Sequence, residues 1–359
     1  MKFLTFTRAA RERERGVKSL RRFVIGFVSI FLVIVIVSGI FIKCTYFSHK
    51  LPTKSIKLED IKSVQIINLD RSKDRREHYE KMLRDNFGDK FLGHKIGEEI
   101  RLNAVDGKKE LIFEDIHNGR RVMYKDIADK VGYFDYGIYK VSSIKDKKLS
   151  FVWKKDEFAM YGKNVAINKN VGYLGCMMSH FKALQKIASQ PDGTYGLVLE
   201  DDFALNEHFD KIFPEILKNV PKDFDIIKLG PNIQSQILCK NKICKNKYSF
   251  LNVIKKSFKK YGYGKYANAE FSKNKRYHHG AVAQLISKEG AVKILDFYKQ
   301  QFSYRVSDAD FYYYLPKQGI LNSYYYLDSM PFLFDEEMND TSSIREEKRN
   351  DRLNLIKAK

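Results

Sequence analysis

Short apolar runs alternate along this chain with stretches of helical periodicity, and that alternation restricts it to an α/β architecture. Residues 63–69 read Ser-Val-Gln-Ile-Ile-Asn-Leu, a β-branched run of the kind buried on both faces of a parallel sheet. Ser72 can then cap a helix whose Tyr79, Met82, Leu83 and Phe87 follow at helical spacing. Residues 100–107 give a second short strand and a turn. In 171–189 a glycine-containing turn enters a helix, with Met178, Phe181, Leu184 and Ile187 forming a buried stripe. Pro191-Asp192-Gly193 is a turn, and residues 224–230 and 280–298 predict a strand and a strand-turn-helix. Residues 108–165 are mixed and charged, with 131–144 and 149–153 as candidate strands of a hairpin or insertion.

One strand ends unusually. Gly196-Leu197-Val198-Leu199 runs directly into Glu200, Asp201 and Asp202. Three adjacent carboxylates repel one another, so the cluster needs a counter-charge. In an open α/β sheet, ligands bind beyond the carboxyl ends of the strands. A hard divalent cation, Mn²⁺ or Mg²⁺, would relieve the repulsion and leave open positions for phosphate oxygens. The cluster therefore reads either as a metal-diphosphate site, with the metal as Lewis acid, or as an acidic turn or helix cap after a strand.

The N-terminus constrains topology. Residues 23–42 hold 20 residues and no charge, enough to span a hydrocarbon core of roughly 30 Å. Eight Lys and Arg residues precede them, so the positive-inside rule keeps residues 1–22 cytoplasmic, as in a type II signal anchor. A cleaved signal peptide has a shorter apolar core, about 7–15 residues. Lys43, Lys50, Lys54 and Lys57 follow the segment, and residues 43–61 read as a stem.

The net charge of +21 invites nucleic acid or anionic lipid as a partner. It is spread along the chain without a zinc-finger or RRM signature, and no nucleic-acid partner is expected. Cys239 and Cys244 pair in a disulfide or remain two free thiols, and neither has further zinc ligands at suitable spacing.

Six blocks, in order, resemble glycosyltransferase family 25, which includes bacterial lipooligosaccharide galactosyltransferases and procollagen galactosyltransferases. They are residues 64–76, 102–107, 172–180 (Gly-Tyr-Leu-Gly-Cys-Met-Met-Ser-His), 197–202 (Leu-Val-Leu-Glu-Asp-Asp), 224–230 and 280–295. The resemblance implies a GT-A-like nucleotide-sugar-binding domain behind a single N-terminal transmembrane helix. It implies a UDP-hexose donor, galactose foremost, and a glycan acceptor on lipopolysaccharide, lipid or protein. Asp202 would lead the metal ligands, with Glu200 and Asp201 supporting it and Asp201 near the reacting groups. Asn68, Asp70, Arg71 and Arg75 would lie at the donor nucleotide, where Arg75 and Arg76 either meet phosphate or form a solvated helix face. Ser179 and His180, at the helix start, either face the donor or serve as a cap and a structural histidine. Asp308 or Asp310 would be the base that deprotonates the acceptor hydroxyl. Residues 324–334 would pack beneath this region.

The chain departs from the family at 280–284, where Gly-Ala-Val-Ala-Gln replaces Gly-Thr-x-Ala-Tyr. A catalytically inactive, membrane-tethered binding protein is the alternative that this departure leaves open. The domain organisation expected is a basic tail (1–22), an anchor (23–42), a stem (43–61), the transferase domain (62–335) and a charged tail (336–359).

Overall fold

The computed structural model describes residues 52–123, 137–146, 149–155, 171–230, 258–260, 281–300, 302–303, 310–326 and 331–334. The segment 23–42 with its flanking tail, the Cys239–Cys244 pair, Gly280, Asp308 and the tail 336–359 lie outside those residues. Among the described residues no helix is long and apolar enough to cross a membrane.

After a two-residue strand (Thr53–Lys54) and a 3-10 turn (Leu58–Asp60), the main elements begin with β1 (Ile61–Asn68), α1 (Lys73–Phe87) and β2 (Arg101–Asn103). The helical turn α2 (Gly107–Glu110) leads into β3 (Leu111–Asp115), β4 (Arg121–Met123), β5 (Gly137–Ser143) and β6 (Ser150–Lys155). Then come α3 (Val171–Ala188), β7 (Tyr195–Glu200), β8 (Phe203–Leu205), α4 (Phe209–Leu217) and β9 (Ile226–Lys228). After β10 (Phe258–Lys260), β11 (Ala283–Ser287) runs directly into α5 (Lys288–Gln300). The remaining pieces are β12 (Phe302–Ser303), a π-type turn (Asp310–Tyr314), α6 (Leu315–Lys317), β13 (Ser323–Tyr326) and β14 (Phe332–Phe334).

Seven strands form the main sheet in the order β10-β13-β9-β11-β7-β1-β2. Strands β2, β1, β7, β9 and β13 run in one direction, and β11 and β10 oppose them. The fold is therefore mixed α/β. From β1 the chain moves to β2 on one side, then returns to place β7 on the other. The crevice between the carboxyl ends of β1 and β7 is thus the switch point of the sheet, where ligands of open α/β sheets sit.

Residues 108–165 do supply the expected hairpin: β5 pairs antiparallel with β6, Tyr139 opposite Trp153. It belongs to a second sheet of order β12-β6-β5-β3-β4. The helix α3 packs between the two sheets, which explains why it is buried on more than one face. One core cluster joins Ile67, Val198 and Ile286 of the main sheet, Met178, Phe181 and Leu184 of α3, and Phe113, Phe151 and Trp153 of the second sheet. Phe151 and Phe181 meet edge to face, with ring centroids 5.4 Å apart.

Two expectations about helix starts are corrected. The helix α3 runs through Gly172 and Gly175 instead of beginning after them, so Ser179 and His180 lie in its middle. The glycine at 175 serves close packing: a Cβ there would stand 2.7 Å from Gly107 N and from Val105 O. No side chain fits between the α3 backbone and the Val105–Gly107 loop. Ser72 does precede α1, yet its side chain makes no cap hydrogen bond. Its carbonyl instead accepts from Asn68 Nδ2 at 3.1 Å.

Candidate active site

Strand geometry answers how three adjacent carboxylates coexist. Successive side chains on a strand point to opposite faces. Glu200, the last residue of β7, faces α3, where His180 Nε2 stands 3.4 Å from its Oε1. Asp201 turns to the α1 side. There Arg75 Nη1 donates to its Oδ1 at 2.6 Å and Asn68 Nδ2 donates to its Oδ2 at 2.8 Å. Asp202 completes a two-residue turn into β8, so the cluster does not cap a helix. The Asp202 side chain is buried, and its Oδ1 has no hydrogen-bond partner.

The electrostatics follow from this arrangement. Burial pushes the Asp202 carboxyl up to about 8, and the neighbouring Glu200 and Asp201 add to the rise. Burial also raises Asp201, against the opposing pull of Arg75 and Asn68. A buried oxygen without a partner is costly unless a proton or a cation takes it. Asp202 with Glu200 is thus a carboxylate pair suited to a hard divalent cation. Each Asp201 oxygen accepts one hydrogen bond, from Arg75 or from Asn68, and these bonds tie α1 to the strand ends.

The crevice floor is a chain of polar contacts across β1 and β2. Arg101 donates from Nε to Asn68 Oδ1 at 3.3 Å and from Nη2 to Asp70 Oδ1 at 2.5 Å. Asn103 Nδ2 donates to Asp70 Oδ2 at 3.0 Å. The Arg101 bond, with that of Asn103, holds the Asp70 carboxyl below the usual carboxylate range. Arg71 pairs with Asp106, which also accepts from the Lys108 amide at 3.1 Å and so caps α2. Asn68, Asp70, Arg71 and Arg75 are therefore gathered at the switch point. Arg75 is buried, so the solvated-face alternative fails for it.

Ser179 is spoken for by structure. Its Oγ accepts from the Val105 amide at 2.8 Å and donates to the Gly175 carbonyl at 2.7 Å. It fastens the Val105–Gly107 loop to α3 and is a positioning residue. Ser179→Ala is expected to cost about 1–3 kcal/mol in chemical denaturation, because the Val105 amide is left buried without an acceptor. His180 is buried and stands edge-on to Phe311, ring centroids 6.3 Å apart. Asp310 opens the π-type turn that carries Phe311.

Of residues 324–334, the described strand β14 lies under the acidic turn, while 327–330 fall outside the described residues. Strand β14 pairs with β8 immediately after Asp202, and Phe332 lies 6.0 Å from Phe203 and 5.2 Å from Phe209. Tyr79 of α1 extends this aromatic floor to Phe203.

Arg101, Asn103 and Asp106 were not among the residues expected at the site. Arg101 opens β2, Asn103 ends it and Asp106 lies in the loop after it, and only the parallel pairing of β2 with β1 brings them in.

A protein named "Putative glycosyltransferase R655" from Acanthamoeba polyphaga mimivirus is 31% identical over 71 residues, 20% of this chain. The match spans 22% of that relative's length. The family described as "Glycosyltransferase family 25 (LPS biosynthesis protein)" matches residues 61–310. That span covers more than half of the chain, from β1 through the acidic edge to the π-type turn, and the chain belongs to glycosyltransferase family 25.

Proposed function

We propose that this chain transfers a hexose, galactose foremost, from a UDP-sugar to a glycan acceptor on lipopolysaccharide, lipid or protein. The supporting observation is the buried, unpartnered Oδ1 of Asp202 beside Glu200 at the switch point of the sheet. The domain is read as GT-A-like, with residues 23–42 as a membrane anchor and residues 1–22 on the cytoplasmic side.

Asp202 and Glu200 would hold a divalent cation, Mn²⁺ or Mg²⁺, which when bound neutralises charge on the departing diphosphate. The chain's own groups do the rest. Arg75 and Asn68 fix Asp201, so the β7 turn keeps one geometry when the donor arrives. Asp70, Arg71 and Arg101 line the end of β1 and β2, where the nucleotide would lie. The acceptor hydroxyl would lose its proton to Asp308 or Asp310.

The test is UDP release by the purified chain from a panel of UDP-sugars, with an acceptor glycan present and with or without Mn²⁺. Metal-dependent release from one sugar establishes the transferase and its donor. Metal-dependent UDP binding with no turnover on any sugar or acceptor would identify an inactive, ligand-binding relative, to which the Gln284 departure would belong.

A further inference from the structure

We propose that Cys176, His180 and Glu200 form a binding site for a thiophilic divalent cation of the zinc class. Cys176 and His180 are four residues apart on α3 and therefore share one face of that helix. Glu200 reaches the same face from the end of β7. One ligand atom from each of the three lies within 4.8 Å of the others.

The His180–Glu200 separation fits two ligands of one cation as well as it fits a long hydrogen bond. At 3.4 Å it exceeds the usual 2.7–3.2 Å of an N–H···O bond. A tetrahedral cation holding imidazole and carboxylate at ~2.0–2.1 Å sets its donors about 3.3 Å apart. The thiolate supplies a third, softer ligand, which selects zinc or cobalt over magnesium. A fourth position stays open, as in sites that exchange water for substrate. Two residues beyond Glu200, the unpartnered Asp202 Oδ1 leaves the same edge short of positive charge.

The site is separate from the donor reading above. It needs no nucleotide, and only Glu200 is common to both. The Oε1 of Glu200 is the oxygen in contact with His180, and the second oxygen of a carboxylate can serve a neighbouring cation.

Cobalt titration reads the site directly, because a thiolate bound to Co²⁺ gives a ligand-to-metal charge-transfer absorption in the near ultraviolet. The full chain is used with Cys44, Cys239 and Cys244 replaced by Ser, leaving Cys176 as its single thiol. The absorption should appear and saturate at one equivalent, and one equivalent of Zn²⁺ should abolish it. Cys176→Ser in the same background should lose it. His180→Ala should weaken the titration by roughly tenfold or more. Should Cys176→Ser fail to fold, zinc protection of Cys176 from alkylation in the single-thiol chain gives the same answer. Cobalt binding without the thiolate absorption, or no cobalt binding at all, would overturn the site. Because Cys176 belongs to this site alone, the presence or absence of its thiolate absorption does not decide UDP-sugar turnover, which is read by UDP release.

Discussion

Asp202→Asn should abolish donor turnover, by about 10²–10³-fold in kcat, while leaving the metal-free chain as stable as wild type or more so. The carboxylate is needed for the cation but is a liability without it. Burial raises its folded-state value to about 8 from an ordinary 3.8. A group raised on folding stabilises the fold below its unfolded value, and that stability is lost as pH rises through the folded value. Metal-free wild type should therefore lose stability between about pH 4 and pH 8, on the order of a few kcal/mol across the window. The asparagine variant should lack this contribution, and denaturant titrations at several pH values compare the two. Cation affinity should rise over the same window, because binding displaces the proton. A variant that unfolds like any core mutant while keeping its activity would contradict this account of Asp202.

Arg75→Met should be the most destabilising single change at the site. Arg75 and Asp201 are both nearly buried, and their ion pair is 2.6 Å long. Removing one partner of a buried pair strands the other charge and costs about 3–5 kcal/mol. Asn68 alone cannot compensate, since it contributes one neutral donor. The double variant Arg75→Met with Asp201→Asn should recover most of the loss, because neither member of the pair is left as a stranded charge. Chemical denaturation of the four members of the cycle measures the coupling. A loss below about 1 kcal/mol for the single variant would put the pair among ordinary surface bridges.

The sequence made the strands of the main sheet readable because parallel strands buried on both faces are continuous apolar runs. Of the run 63–69, residues 63–68 lie in β1 and Leu69 falls just past it, and 196–199 lie within β7. The helix over 171–189 was readable from its three-residue apolar recurrence. Its start was misplaced because glycine ordinarily punctuates, whereas Gly175 here admits a neighbouring backbone. The paired state of Asp201 could not be read, since Arg75 lies 126 residues earlier in the chain. A signal did exist: Arg75, Tyr79 and Leu83 recur every four residues, so Arg75 belongs to the buried stripe of α1. The Cys176–His180 spacing was equally visible, but only the strand order brings Glu200 to it. Nothing local marks Arg101 as a site residue, because its place depends on the β1–β2 register.

In the function proposed for this chain, the acidic edge binds a nucleotide diphosphate through a cation. Calorimetric titration of UDP into the purified chain, with and without Mn²⁺, tests it most directly. Binding should require Mn²⁺ in wild type and be lost in Asp202→Asn. UDP binding of equal strength without metal, or unchanged in Asp202→Asn, would contradict it.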